Sequence, residues 1–220
     1  MTQDINRIER SVKERRLNDV NFINWWLYIL IVGPITFGIY SLILFFQRTN
    51  RVDNFINRKY QYYGSLLDYT EKYAQDKGQY DEIRHMLEEI KTQLKYDFSK
   101  KITPIKSGIS FLLIIVTLGI WGFIWMYKMN KVWFDLTVFE QDFDDKLSQI
   151  WIKIGLLKHP INFEIDSSKN RSYVLYLILS LITFGIWALV WDYKIHTDPE
   201  NLFPEFHTVE DSIIQIIRSA

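Results

Sequence analysis

The sequence predicts an all-α integral membrane protein, with three repeated apolar helical hairpins or spans and cytoplasmic amphipathic helices between them. Three observations predict it. First, three stretches carry no charge: Phe22 to Phe46, Ser107 to Tyr127 and Ser172 to Trp191. A helix rises ~1.5 Å per residue, so about 20 residues cover ~30 Å of hydrocarbon, and each stretch meets that length. Second, all three contain the same phrase: TFGIY at 36–40, TLGIW at 117–121 and TFGIW at 183–187. Third, the polar stretches between them show the apolar spacing of helices.

Composition supports the same medium. Hydrophobic residues make up 48% and aromatics 16% of the 220 residues, with 8 Trp and 13 Tyr. Those rings have an apolar body and a polar tip, which suits a membrane–water boundary. Acidic and basic residues balance at 26 each, so net charge points to no partner. There is no cysteine, which excludes disulfides, thiolate metal sites and Cys nucleophiles.

The elements follow in order. Residues 1–21 are a charged helix without a signal-peptide core, which places the N-terminus in the cytoplasm. Residues 22–47 form membrane repeat 1. Residues 48–106 form a cytoplasmic helical region. There Ile83, Leu87, Ile90, Leu94 and Phe98 recur at helical spacing, a face expected to meet a partner helix or sister subunit. Gly64 and Gly78 are candidate breaks, and Pro104 marks the return into the membrane. Residues 107–128 form membrane repeat 2. Residues 129–171 form a second cytoplasmic helical region, with Leu147, Ile150, Trp151 and Ile154 as its apolar stripe and Ile161 to Ile165 as a candidate strand. Residues 172–194 form membrane repeat 3. Residues 195–220 form a cytoplasmic C-terminal helix after a turn at Asp198-Pro199-Glu200.

Aligned on the Thr, the repeats read T-F-G-I-Y-S-L-I-L-F-F-Q from Thr36, T-L-G-I-W-G-F-I-W-M-Y-K from Thr117 and T-F-G-I-W-A-L-V-W-D-Y-K from Thr183. The last two copies stay in register without a gap as far as Ile150 and Ile216. These residues, with the tail H-T-D-P-E-N-L-F-P-E-F-H, resemble a family of small prokaryotic membrane proteins of unknown function. Its signature is close to T-L-G-I-Y-G-L-Y-W-x-Y-K. The resemblance implies membrane residence and no activity. In layout the chain also resembles the membrane effectors of bacterial phage-defence operons, the Hailong type among them. That likeness rests on arrangement and not on a motif.

Basic residues flank both ends of every apolar stretch, and cytoplasmic loops favour Lys and Arg. Three simple spans would put half of those charges outside. Pro34 and the repeated glycines offer hairpins with both ends in the cytoplasm. The packing motif is then Thr36, Gly38, Thr117, Gly119, Thr183 and Gly185. Alternatively these small residues let spanning helices pack closely. A hairpin turn near mid-bilayer needs its backbone shielded, which predicts oligomers or tight packing of the repeats.

No catalytic constellation is present. His85, His159, His196 and His207 lack metal-ligand spacing, and there is no Gly-rich phosphate loop or G-x-S-x-G. The expectation is no enzyme, no cofactor and no metal. Glu140, Asp142, Asp144 and Asp145 read as an acidic first turn of a helix rather than a cation site. Arg48, Arg51, Arg58 and Lys59, interleaved with tyrosines, are candidates for contact with anionic lipid or a nucleotide. The apolar stretches hold no mid-depth charge, which argues against an ion-coupled transporter. The favoured reading is a regulated homo-oligomeric pore, a tetramer or larger ring in the bacterial inner membrane, with a nucleotide or oligonucleotide regulator and a role in antiviral defence. Tyr40, Trp121 and Trp187, then Trp125 and Trp191, are the candidate constriction. The alternative is a non-conducting scaffold that anchors a soluble partner.

Overall fold

A computed structural model describes residues 2–162 and 166–220. Among them every regular element is helical. The order is α1 (Thr2–Asn18), α2 (Trp25–Leu27), a π-helical stretch Tyr28–Val32, α3 (Gly33–Ile35), α4 (Ile39–Asp76) and α5 (Tyr80–Thr92). A second π-helical stretch, Gln93–Phe98, leads to α6 (Ser99–Lys101), α7 (Ser107–Val116) and α8 (Ile120–Lys153). A short 3-10 turn, Ser167–Lys169, precedes α9 (Tyr173–Ile182) and α10 (Ile186–Ser219). Of the candidate strand, Ile161 and Asn162 adopt no regular element, and Phe163, Glu164 and Ile165 lie outside the described residues.

Each apolar stretch is a helical hairpin. A short arm rises, turns at the Thr-x-Gly phrase, and descends as the first turns of a long helix. Among the described residues no helix is long and apolar enough to cross a membrane. The expected boundaries after residues 47, 128 and 194 do not exist as breaks, because α4, α8 and α10 run through them. Gly64 does not interrupt α4, since an isolated glycine costs a helix only ~1 kcal/mol. Gly78 does end the helix, at φ +71°. The turn expected at Asp198-Pro199-Glu200 is helical, and α10 carries both Pro199 and Pro204. The first π stretch precedes Pro34, whose missing N–H removes one regular helical hydrogen bond.

Below the hairpins α4, α8 and α10 share one core with α1 and α5. Ile83, Leu87, Ile90, Leu94 and Phe98 are all buried in it. The face does meet partner helices, and they belong to the same chain: Tyr63 on α4, Phe139 on α8 and the rest of its core. Leu147, Ile150, Trp151 and Ile154 are buried in the same core.

The repeat register carries into this core. Counting equally from each Thr, Leu44, Trp125 and Trp191 occupy one position, and all three are buried. Further along the helices Lys59, Glu140 and Phe206 share a position. The Lys59 ammonium lies 2.7 Å from Glu140 and 4.6 Å from the centre of the Phe206 ring. Tyr63, Asp144 and Glu210 follow at a third level. The three long helices therefore converge in the register of the sequence repeat.

Candidate membrane-facing site

The turn shows why the phrase contains Thr and Gly. The residue after the Thr and the Gly that follows it both have positive φ: 49° and 82° at Phe37-Gly38, 50° and 94° at Leu118-Gly119, 50° and 90° at Phe184-Gly185. A Cβ on any of these three glycines would meet nothing within 4 Å. Glycine is thus required for its left-handed backbone and not for close packing.

The Thr hydroxyl joins the two arms. It donates to the carbonyl four residues back: Val32 at 2.7 Å, Leu113 at 2.6 Å, Leu179 at 2.7 Å. It accepts from the N–H four residues ahead: Tyr40 at 3.2 Å, Trp121 at 2.9 Å, Trp187 at 2.9 Å. The Gly N–H closes back to Gly33, Ile114 and Ser180. Every N–H from the Thr through the sixth residue of the phrase has an acceptor within its own hairpin, in all three copies. The shielding expected from the sequence, by other copies or by tight packing of the repeats, is therefore not needed for these donors.

At the apex stand Phe37, Leu118 and Phe184, exposed by 95%, 94% and 98%. A bulky residue in the left-handed region costs on the order of 1–2 kcal/mol. Burying such a side chain in an apolar medium returns ~1.5–3 kcal/mol, so the strain is offset only if the tip leaves water. Among the described residues the large exposed apolar side chains all lie in the hairpins, except Leu17, Val20, Tyr60, Tyr96, Val138 and Ile152.

The hairpins meet at their bases through aromatic rings. Phe45 joins the first to the second at Trp125, 4.9 Å away. Tyr127 joins the second to the third at Tyr173, 5.3 Å away. Trp25 joins the first to the third at Tyr193, 5.3 Å away, and donates its ring N–H to Asp192. The candidate constriction residues are distributed accordingly. Trp125 and Trp191 are buried in the base, with the Trp125 ring N–H on Thr49. Tyr40, Trp121 and Trp187 are half-buried; Tyr40 packs on Tyr28 and Trp187 on Tyr176, each across its own hairpin.

Arg48, Arg51, Arg58 and Lys59 are not surface cations. All four are buried and ion-paired within the chain, although the Nε of each arginine has no hydrogen-bond partner, and this burial closes them to lipid headgroups and to nucleotides. Arg48 pairs with Asp192 and donates to His196 Nδ1 at 2.9 Å. His196 Nε2 in turn donates to the Ile23 carbonyl at 2.9 Å. Burial and then the two arginines push the His196 pKa down to about 4, so the ring is neutral at pH 7. Arg51 bonds the carbonyls of Val20 and His196, and its pKa is pushed down to about 10, chiefly by burial. Arg58 takes Glu210 and Asp19, at 2.8 and 2.7 Å. Lys59 takes Glu140 and Glu210, at 2.7 and 2.9 Å. The physical reason is the continuity of α4: one helix carries all four side chains from the hairpin base into the core.

The acidic group is also not a helix first turn, since it lies mid-way along α8. Glu140 and Asp144 point inward, and the Tyr63 hydroxyl donates to Glu140. Neither oxygen of the Asp144 carboxyl has a protein partner. Burial, then Glu140, raises its pKa well above the usual carboxylate value, so it is held protonated more readily than a free Asp. Among the described residues no group of His, Cys, Asp and Glu is placed to hold a metal ion. Sequence reasoning missed Asp192 and His196 as the acceptors of Arg48. Their signal was position: they are spaced i, i+4 where the third apolar stretch turns charged.

The family described as "Domain of unknown function (DUF4234)" matches residues 171–217, which hold the third hairpin and most of α10. No curated protein and no solved structure matches the chain. The third repeat, with the helix that it leads into, is thus what this chain shares with a described family, and that family is one of unknown function.

Proposed function

We propose that the protein is a monotopic membrane anchor: three hairpins sit in one leaflet and hold a helical body against the bilayer surface. The observation that carries this reading is the turn, which pairs an apolar apex with N–H groups that are all bonded internally. A backbone turn in hydrocarbon must satisfy its donors without water. The arms fit one leaflet, since the ten residues of α7 or α9 reach ~15 Å against ~30 Å for the whole core. Hairpins that enter and leave on one side also account for basic residues at both of their ends. The body then lies on the cytoplasmic side, and its role is that of a non-conducting platform.

A second reading, the regulated homo-oligomeric pore, draws on the apolar hairpin faces, which sister copies as well as lipid would cover. It requires those copies to build a lumen through both leaflets. Release of a small dye from sealed vesicles on reconstitution would favour it over the platform.

The anchor is tested with cysteines, since the chain has none of its own. A fluorophore at Phe184→Cys should be quenched by lipids brominated deep in the acyl chain. One at Asn170→Cys should be quenched only at headgroup depth, and the unlabelled Asn170→Cys thiol should resist an impermeant thiol reagent added outside intact cells. A water-exposed fluorophore at position 184 would refute the reading.

A further inference from the structure

We infer that Lys106, Lys128, Lys131 and Lys194 form a collar that binds the headgroups of anionic phospholipids around the second and third hairpins. The inference rests on the anchor reading and names the lipid class that this anchor selects.

Position comes first. Lys106 and Lys128 each stand eleven residues from Thr117, on opposite arms of one hairpin, and Lys194 stands eleven residues after Thr183. At ~1.5 Å per residue the collar lies ~16 Å below the tips, which is the thickness of one hydrocarbon leaflet. Tips at mid-bilayer therefore set these ammonium groups at the phosphate level. Lys131 follows Lys128 by about one turn of α8.

Pairing comes second. The deep cations of α4 all have carboxylate partners. Among the described residues the collar lysines have none within 4.0 Å of their ammonium groups. Lys194 meets only the Tyr193 ring, at 5.4 Å. Asp135, four residues after Lys131, acts on that lysine from beyond ion-pair distance, as Asp53 does on Lys106 and Lys128. Asp53 accepts the backbone N–H groups of Ile105 and Lys106 at 2.6 and 2.8 Å. Asp192 is taken by Arg48 and Trp25, and Asp198 by Arg171.

Backbone strain comes third. Lys106 sits at φ +57°, a left-handed conformation that a Lys side chain rarely adopts, and the two bonds to Asp53 hold it there. Asp53 thereby fixes the residue that begins the second hairpin. The first hairpin has Trp25 and Gln47 at the equivalent places, so the collar is one-sided.

The test is flotation of the full-length protein, diluted from detergent, with vesicles of phosphatidylcholine alone or mixed with phosphatidylglycerol. The mixed vesicles should capture more protein, and added salt should abolish the difference. Lys106→Gln, Lys128→Gln, Lys131→Gln and Lys194→Gln should each lower the preference roughly fivefold, the effect of ~1 kcal/mol per surface lysine. Lys95→Gln with Lys158→Gln, exposed and away from the hairpins, should leave it unchanged. Helical circular dichroism confirms that each variant is folded. Equal capture by both vesicles would overturn the collar and leave the anchor standing. Capture by neither would overturn the anchor itself. Displacement by inorganic phosphate at constant ionic strength would overturn the assignment to lipid.

Discussion

Removing the hydroxyl of Thr117 tests whether the turn works as described. Thr117→Val keeps the β-branched shape and deletes two hydrogen bonds. The Leu113 carbonyl retains the Thr117 N–H at 2.9 Å, so it loses little. The Trp121 N–H loses its acceptor outright. An orphaned donor costs ~1–3 kcal/mol, and if the hairpin sits in hydrocarbon, as proposed, no water replaces the lost partner. About 2 kcal/mol is the working figure. For a chain of this size that lowers the melting temperature by ~4–8 °C. Thr183→Val should behave alike, because Trp187 has the same 2.9 Å bond. Thr36→Val should cost less, because the Tyr40 bond is 3.2 Å. The three apex side chains are almost fully exposed, so the turns share no packing there and the losses should add, to ~6 kcal/mol at most. That approaches the whole stability of a typical domain. The assay is thermal unfolding in lipid nanodiscs, followed by circular dichroism, with Thr→Ser at each site as the rescue. An unchanged melting temperature for both Thr117→Val and Thr183→Val would refute the reasoning.

Three further outcomes are expected. Lys59→Met leaves Glu140 and Glu210 facing each other without Lys59 between them, a loss of ~3–5 kcal/mol; adding Glu140→Gln should restore part of it in denaturant titrations. The His196 pKa is depressed from 6.5 to about 4 in the fold, so stability is complete above pH ~6.5 and falls as pH drops toward 4. The size is on the order of 3 kcal/mol, and His196→Gln, which keeps a donor and an acceptor, should flatten the profile. Asp144 has the opposite sign: its pKa is raised, so it disfavours the fold progressively as pH rises above its ordinary 3.8. Asp144→Asn should therefore gain stability over the parent chain as pH increases, and a constant difference across pH would contradict the assignment.

Much of the three hairpins was legible in the sequence, because they depend on local rules. The absence of charge marked the three apolar stretches. The Thr-x-Gly phrase marked a possible turn, since glycine's left-handed backbone is a property of the residue itself. The choice between turn and helix packing needed coordinates. It was decided by the empty space around Gly38, Gly119 and Gly185 and by the two-way bond of each Thr. The charged residues were read less well. Arg48, Arg51, Arg58 and Lys59 look like a basic surface in one dimension. Their carboxylate partners Asp19, Glu140, Asp192, Glu200 and Glu210 are distant in sequence, and no local pattern links them.

By itself, then, the sequence determined the helical class, the three apolar stretches and their common register. Each follows from residues within one helical turn or from simple repetition along the chain. Only the tertiary structure decided that the stretches fold back on themselves, that α4, α8 and α10 run unbroken from hairpin to core, and which cations are buried. The burial of those cations depends on pairing between residues far apart in the sequence, as between Arg58 and Glu210. A cation enters a protein interior only where an acid from another element is waiting to neutralise it.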